Sequence, residues 1–466
     1  MLRGRERPGV LLWAEGSANG NEPWRHHPMR LRVLLSAFAI APNRGSEAGV
    51  GWNVATRLAQ HHDVTVICGD LSGRRRTESE LAEHFLLSGQ IPGLTILYVP
   101  PSRLTQVMHW MHARPGLWFL YYAAYRIWQR DAFAAAAARH AIKPFDLAHQ
   151  LTFASYREPG YLWRLPVPFF WGPIAGAGDP PVSYQGMLGI AGARLLTRRL
   201  GNFMQRRFSP RPVQAARRAS LTWVVTDDER RLIERWGGRA EQQFEVGTSP
   251  TRELPRDRAA DEPLRLVWSG QHTPGKALPL ALEALAHLAE RPVIHLDILG
   301  EGPVTEACKR LSLRLRVDHL LTWHGRLPHA EALAIMSREH VLLHTSLAEA
   351  TSTVILEALS LGLPVICHDA CGMGTAVDQS CGIKVPLIDP ETSIEGFSQA
   401  IEQLANDRAL YGRLSKGAIE RARLLTWDSK VRRFSEAYVG ACSVDTANSN
   451  DLPPAGSGGK RELTQA

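Results

Sequence analysis

Val341-Leu-Leu-His-Thr-Ser-Leu-Ala-Glu349-Ala-Thr-Ser-Thr-Val-Ile-Leu-Glu357-Ala-Leu-Ser-Leu-Gly362-Leu-Pro364-Val-Ile-Cys-His368 decides the architecture. Two short apolar runs, Val341 to Thr345 and Pro364 to His368, flank a helix-forming stretch over 352–361 that Gly362 and Pro364 close. Short apolar runs without alternation read as strands buried on both faces, so the succession is a parallel βαβ unit. Upstream the pattern repeats. Strands are expected at Leu264 to Ser269, Val293 to Leu299 and Leu320 to Trp323, with helices near 276–290, 304–314 and 328–338. A polar segment from Arg252 to Glu262, with Pro255 and Pro263, interrupts it and reads as a linker. Before the linker the alternation runs through Leu31 to Ala37, a helix from about Val50 to Gln60, Val64 to Cys68, Leu94 to Val99, Phe145 to Leu151, Val167 to Trp171 and Leu221 to Thr226.

The expected fold class is α/β, with two doubly wound Rossmann-like domains facing across a cleft, where open α/β sheets place their ligands. The 466 residues suit two domains better than one core. Residues 1–28 read as a leader that is either disordered or not part of the real protein, the fold starting near Met29. An N-terminal domain follows over 29–250, a linker over 251–262 and a C-terminal domain over 263–425. A helix over 426–442 is expected to cross back to the N-terminal domain, and 443–466 reads as a disordered tail.

The charge of +8 and the pI near 9.3 favour anionic partners such as phosphates or an acidic membrane surface. No nucleic-acid-binding motif accompanies the charge, so nucleic acid is not expected as a partner. The six cysteines show no paired metal-ligand spacing; the trio Cys367, Cys371 and Cys381 has only His368 nearby, so they read as free thiols in a reducing cytoplasm, with no metal site.

Within the opening stretch, Glu349 and Glu357 stand about two helical turns apart and can line one side of a ligand. Thr351, Ser352 and Thr353 fall at the helix N-terminus, where free backbone N–H groups and hydroxyls suit a phosphate.

Glu349-x7-Glu357 followed by Ala358-Leu-Ser-Leu-Gly-Leu-Pro-Val-Ile366 resembles the signature of the retaining glycosyltransferases of family 4, which have the GT-B fold. Ser269-Gly270-Gln271-His272-Thr273-Pro274-Gly275-Lys276 resembles their donor-phosphate loop, and Gly45-Ser-Glu47-Ala-Gly49-Val-Gly51-Trp52 their first N-domain loop. Gly300-Glu-Gly302-Pro303 and Trp323-His-Gly-Arg326-Leu327 stand in the same order as in that family. The resemblance implies a metal-independent, retaining enzyme without a cofactor that moves a sugar from a UDP- or GDP-sugar to a glycan or lipid-linked acceptor, in surface polysaccharide assembly. It implies that Glu349 bonds the sugar hydroxyls, Glu357 the ribose and Lys276 the diphosphate, with Gly270, Gln271, Arg326, Thr351, Ser352 and Thr353 around the donor.

The family commonly has Arg after the loop glycine, where this chain has Gln271; Arg326 is the candidate replacement, and a weakly active or inactive sugar-nucleotide binder is the alternative. A nucleotide-sugar epimerase on the same fold is the other. Gly45, Glu47, Gly49 and Gly51 are expected to form a loop that lets phosphate and acceptor approach, Glu47 contacting the acceptor. Gly49 and Gly51 with Asp70 also mimic a dinucleotide fingerprint that lacks its third glycine, Val54 standing there. His149 ends an expected strand at the cleft and is read as a catalytic-site histidine, although the family commonly places it two positions later, at Leu151 here. Aromatic residues at 117–128 and the arginines from Arg194 to Arg218 suggest an interfacial surface for anionic lipid at the inner face of a membrane.

Overall fold

The computed structural model describes residues 11–13 and 30–450, apart from 43, 45, 75, 115, 118, 189, 250–257, 260–261 and 289–293. The N-terminal sheet contains β1 (Leu11–Trp13), β2 (Arg32–Ala37), β3 (Asp63–Cys68), β4 (Leu94–Tyr98), β5 (Leu147–Thr152), β6 (Phe169–Ile174), β7 (Leu221–Val224) and β8 (Ala240–Gln242). Their order is β1-β4-β3-β2-β5-β6-β7-β8, and only β1 runs antiparallel. The C-terminal sheet is all parallel: β9 (Leu264–Ser269), β10 (Ile294–Leu299), β11 (Leu321–Gly325), β12 (Val341–His344), β13 (Val365–His368) and β14 (Gly382–Val385). Its order is β11-β10-β9-β12-β13-β14. The winding therefore reverses between β2 and β5 in one domain and between β9 and β12 in the other.

Central strands are buried along their whole length because helices cover both faces, which is why they read as unbroken apolar runs. The helix Thr353–Ser360 packs through Ile355, Leu356, Ala358 and Leu359, all nearly inaccessible. One hydrophobic cluster joins the facing sides of the two sheets through Trp427, Val431, Phe434 and Tyr438 of the helix Trp427–Asn450. That helix packs against the helix Ser46–Leu58, and its Ser435 hydroxyl lies 2.7 Å from His62 Nε2. The chain crosses between domains twice, and the two crossings touch: Thr248 N–H donates to Leu425 O (2.9 Å) and Trp427 N–H to Thr248 O (3.2 Å).

Several expectations are corrected. Leu11–Trp13, inside the supposed leader, pair with β4 as an edge strand; the rest of 1–28 lies outside the described residues. The last helix runs on to Asn450, eight residues into the supposed tail, because nothing between 443 and 450 breaks it before Pro453 and Pro454. Arg252 to Glu262 is mostly outside the described residues, but Arg258 donates to Leu404 O and Ala405 O and so belongs to the C-terminal domain. The aromatic run is half core: Tyr125 and Trp128 are fully buried in the helix Phe119–Ile142, and Trp128 Nε1 donates to Val99 O at 2.8 Å.

Candidate active site

The loops after β9 and β12 meet at the point where the C-terminal sheet reverses, and they bring Lys276 and Glu349 together in an ion pair. These residues are 73 positions apart and touch only because their strands are neighbours. Ser346 donates to the same carboxylate oxygen, and His344 Nε2 lies 3.4 Å from it. Burial alone would raise Glu349, but His344 and then Lys276 outweigh it and hold the carboxyl well below the usual carboxylate range. It is ionised throughout the physiological range. Trp268 Nε1 donates to Thr345 Oγ1 (3.0 Å), whose hydroxyl donates to Lys276 O (3.0 Å), so a buried tryptophan braces both loops.

Beside the pair lies a cavity of about 510 Å³ lined by Gly270, Gln271, Gly300, Gly302, Arg326 and Leu327, among others. Its walls are backbone at close quarters. A Cβ on Gly300, whose φ is +113°, would collide with Gly270 O, and one on Gly302 would come 2.5 Å from His272 O. The glycines thus let two loops touch, their own N–H groups bonded to Leu299 O (3.1 Å), Gly325 O (2.7 Å) and Thr305 Oγ1 (2.9 Å), and they keep side chains out of the cavity between them. Gln271 and Arg326 are exposed on the same cavity, so a cation does stand opposite the glutamine. His272 is not that cation: fully buried between Trp268 and Trp323, it contacts Thr305 Oγ1 at 2.8 Å, and burial pushes its pKa down.

Glu357 sits one and a half turns into its helix and contacts His329 Nε2 at 2.8 Å. Thr351 is corrected: its N–H (2.6 Å) and hydroxyl (2.7 Å) both go to Glu245, which reaches across from the end of the N-terminal domain. These donors are not open to a phosphate. Ser352 is buried at the N-cap without a side-chain cap bond, and Thr353 is exposed in the first turn. Beneath this contact Lys430 donates to Val246 O (2.7 Å) in full burial; burial raises Glu245 and lowers Lys430, and the charge of each opposes the shift of the other.

The N-terminal side differs more from expectation. The presumed glycine loop is already helix from Ser46, and Gly49 and Gly51 are buried where a Cβ would strike Arg44 O and Ala39 O. They serve close packing of the helix on its own preceding loop, not approach of a ligand; Gly45 lies outside the described residues. Asp70 accepts from Gly73 N–H (2.7 Å) and Tyr98 OH (2.7 Å), which is turn formation. Glu47 does sit at the reversal between β2 and β5, accepting from Ala154 N–H at 3.1 Å. Burial, together with the charge of Glu245, raises its pKa to about 7 against the pull of the Ala154 bond. His149 is corrected outright: it is fully buried, with Nδ1 2.6 Å from Tyr438 OH and Nε2 2.7 Å from Gly172 O, and burial pushes it down to about 3. It anchors the returning C-terminal helix and does not reach the cleft.

Sequence reasoning missed His344, Ser346, His329 and Glu245. Ser346 and His344 lie just ahead of Glu349, within reach of a local search for hydrogen-bonding partners; Glu245 has no such signal, being 106 residues from Thr351.

Two sheets of this kind, with loops meeting at their reversals and a returning C-terminal helix, define the GT-B architecture. It is shared with a sucrose-phosphate synthase from Thermosynechococcus elongatus (TM-score 0.60, 17% identity, covering 89% of this chain and 100% of that one). The Anabaena protein HepE, solved in complex with UDP, has it as well (TM-score 0.55, 14% identity, 88% of this chain and 100% of that one). Residues 251–421 match the family of glycosyl transferases group 1. Among curated proteins, D-inositol 3-phosphate glycosyltransferase of Streptomyces bingchenggensis is 27% identical over 216 residues, 44% of each chain. Its counterpart in Corynebacterium diphtheriae is 26% identical over 225 residues, 46% of this chain and 52% of that one. The chain thus spans about half the length of the curated relatives it matches.

Proposed function

We propose that the protein transfers a sugar from a UDP- or GDP-sugar to a glycan or lipid-linked acceptor, retaining the anomeric configuration and using neither metal ion nor cofactor, in the cytoplasmic assembly of a surface polysaccharide. The observation that carries the reading is the Lys276–Glu349 pair at the reversal of the C-terminal sheet, beside a glycine-walled cavity. An ammonium there neutralises charge growing on a leaving diphosphate, and an ionised carboxylate accepts two sugar hydroxyls at once. In the resting protein each occupies the other. Donor binding separates them, Lys276 turning to the diphosphate and Glu349 to the sugar. Glu357 accepts the ribose hydroxyls, while Arg326 takes the place of the arginine that Gln271 replaces. Glu47 contacts the acceptor from the opposite domain. The group 1 match over residues 251–421 and the UDP held by HepE on the same fold support this reading.

The test is nucleotide release from UDP- and GDP-sugars in the presence of a metal chelator and a panel of glycan and lipid-linked acceptors, with the product's anomeric configuration read by NMR. Release of UDP or GDP tied to a retained glycosidic product is expected. Binding of UDP or GDP without release on any acceptor would favour the inactive binder, and an isomerised nucleotide sugar without transfer would favour the epimerase.

A further inference from the structure

From Arg199 onward the helix Ile190–Phe208 carries its polarity the wrong way round for a helix facing water. Its inward side is polar: Arg199 donates to Pro180 O (3.3 Å), Asn202 to Asp179 (2.6 Å), and Arg206 to Ala177 O and to Asp179 (3.1 Å). Its outward side presents Leu200, Phe203, Met204 and Phe208, each 48–65% exposed and spaced as one helical stripe, with exposed Arg207 among them. A second stripe lies on the helix Arg103–Met111, where Thr105 points inward while Leu104, Val107 and Trp110 are 52–64% exposed. Exposed Arg103 begins that stripe, and exposed Arg114 stacks 4.2 Å from the Trp110 ring. Both helices follow parallel strands, β4 and β6, and so leave the sheet at its C-terminal edge, the edge that bears Glu47.

Charge selects the occupant. Residues 101–130 contain four arginines and residues 180–226 eight, with no aspartate or glutamate in either stretch. Apolar stripes that carry the exposed Arg103, Arg114 and Arg207 fit the boundary between anionic headgroups and acyl chains, where the rings and alkyl groups insert and the guanidinium groups stay at the phosphates. We propose that the N-terminal domain docks reversibly on an anionic lipid surface through these two stripes. The surface is not the aromatic run at 117–128, half of which is core. Among the described residues no helix is long and apolar enough to cross a membrane, so the contact is interfacial. It also leads toward the acceptor side: the Tyr121 ring lies 5.4 Å from His112, at the end of the second stripe, and 6.1 Å from Phe153, the neighbour of Ala154 that bonds Glu47.

The experiment is co-sedimentation of the full chain with vesicles of phosphatidylcholine and phosphatidylglycerol, and with phosphatidylcholine alone. Wild type should pellet with the anionic vesicles, less so as salt shortens the screening length below about 10 Å. Leu200→Ser with Phe203→Ser, and separately Val107→Ser with Trp110→Ser, should each lower the partition coefficient about tenfold or more. Arg103→Gln with Arg114→Gln should lower it about fivefold per charge. The thermal midpoint and UDP affinity of these variants, which alter only exposed side chains, serve as folding checks and should not change. A wild type that stays in the supernatant with anionic vesicles overturns the proposal. So does a Leu200→Ser with Phe203→Ser variant that pellets like wild type, or one whose only change is conversion of a dimer to a monomer, which would give the stripe to a second copy of the chain. Vesicle binding does not depend on sugar transfer, so its failure would leave the catalytic reading standing.

Discussion

Glu349→Gln keeps the shape of the side chain and removes its charge, which separates two contributions of the Lys276–Glu349 pair. The carboxylate is about 15% exposed, held by Lys276 and Ser346 with His344 3.4 Å away, so its position barely depends on solvent. If these contacts orient the sugar as positive charge grows at its anomeric carbon, the loss is about 2–4 kcal/mol, as for other preorganised transition-state contacts. That corresponds to about 30- to 1,000-fold in turnover. UDP alone, having no sugar, should respond otherwise. A partly exposed ion pair is worth about 1 kcal/mol, and the substitution frees Lys276 from it, so UDP affinity should hold or rise by up to about fivefold. The assay is single-turnover sugar transfer beside calorimetric titration with UDP, with circular dichroism to confirm folding. Transfer at the wild-type rate, or UDP affinity lost in step with turnover, would refute the division of labour between sugar and phosphate.

Three further predictions test the surroundings. Glu357→Gln should weaken UDP and UDP-sugar alike by about 1–3 kcal/mol, with little change in the saturated rate, whereas unchanged titration would remove Glu357 from the ribose site. Tyr438→Phe should destabilise by about 1–3 kcal/mol in denaturant unfolding, because it strips His149 Nδ1 of its partner inside the core; an unaltered midpoint would mean that the returning helix is held without that bond. Glu47, raised to about 7 in the folded protein, binds its proton more tightly there than in the unfolded chain. Its favourable contribution is therefore complete below the ordinary glutamate range and is lost as pH rises through 7, by up to about 3 kcal/mol. Glu47→Gln should consequently gain stability over wild type between pH 5 and pH 8 in thermal unfolding, and parallel pH profiles would count against a buried, protonated Glu47.

The fold was legible where physics is local. Val341 to Thr345 and Pro364 to His368 could be read because strands covered on both faces tolerate little polarity, and Gly362 with Pro364 marks the turn between helix and strand. Strand β8, Ala-Glu-Gln, and strand β14, with Lys384 inside it, were missed because edge strands expose side chains and lose the apolar signal. The two glutamates could be found from their spacing, but not what holds them: Lys276 is 73 residues from Glu349, and Glu245 is 106 from Thr351. His149 was misplaced for the same reason, since its partner Tyr438 lies 289 residues on. Gly49 and Gly51 show a different failure. A glycine pair ahead of an apolar run has the same letters whether it admits a ligand or another turn of the chain, and only the Cβ collision with Arg44 O and Ala39 O decides between them.

The contact between the two crossings near Thr248 and Thr426 also has a mechanical meaning. Domains joined by one strand of chain can tumble freely, but two chain passages bonded side by side act as a pin, leaving rotation about one axis as the easy motion. On the cleft side of that pin, Glu245 grips Thr351 at the root of the loop that carries Glu349. The angle between the domains and the position of the Glu349 loop are therefore tied to each other through Glu245 and Thr351.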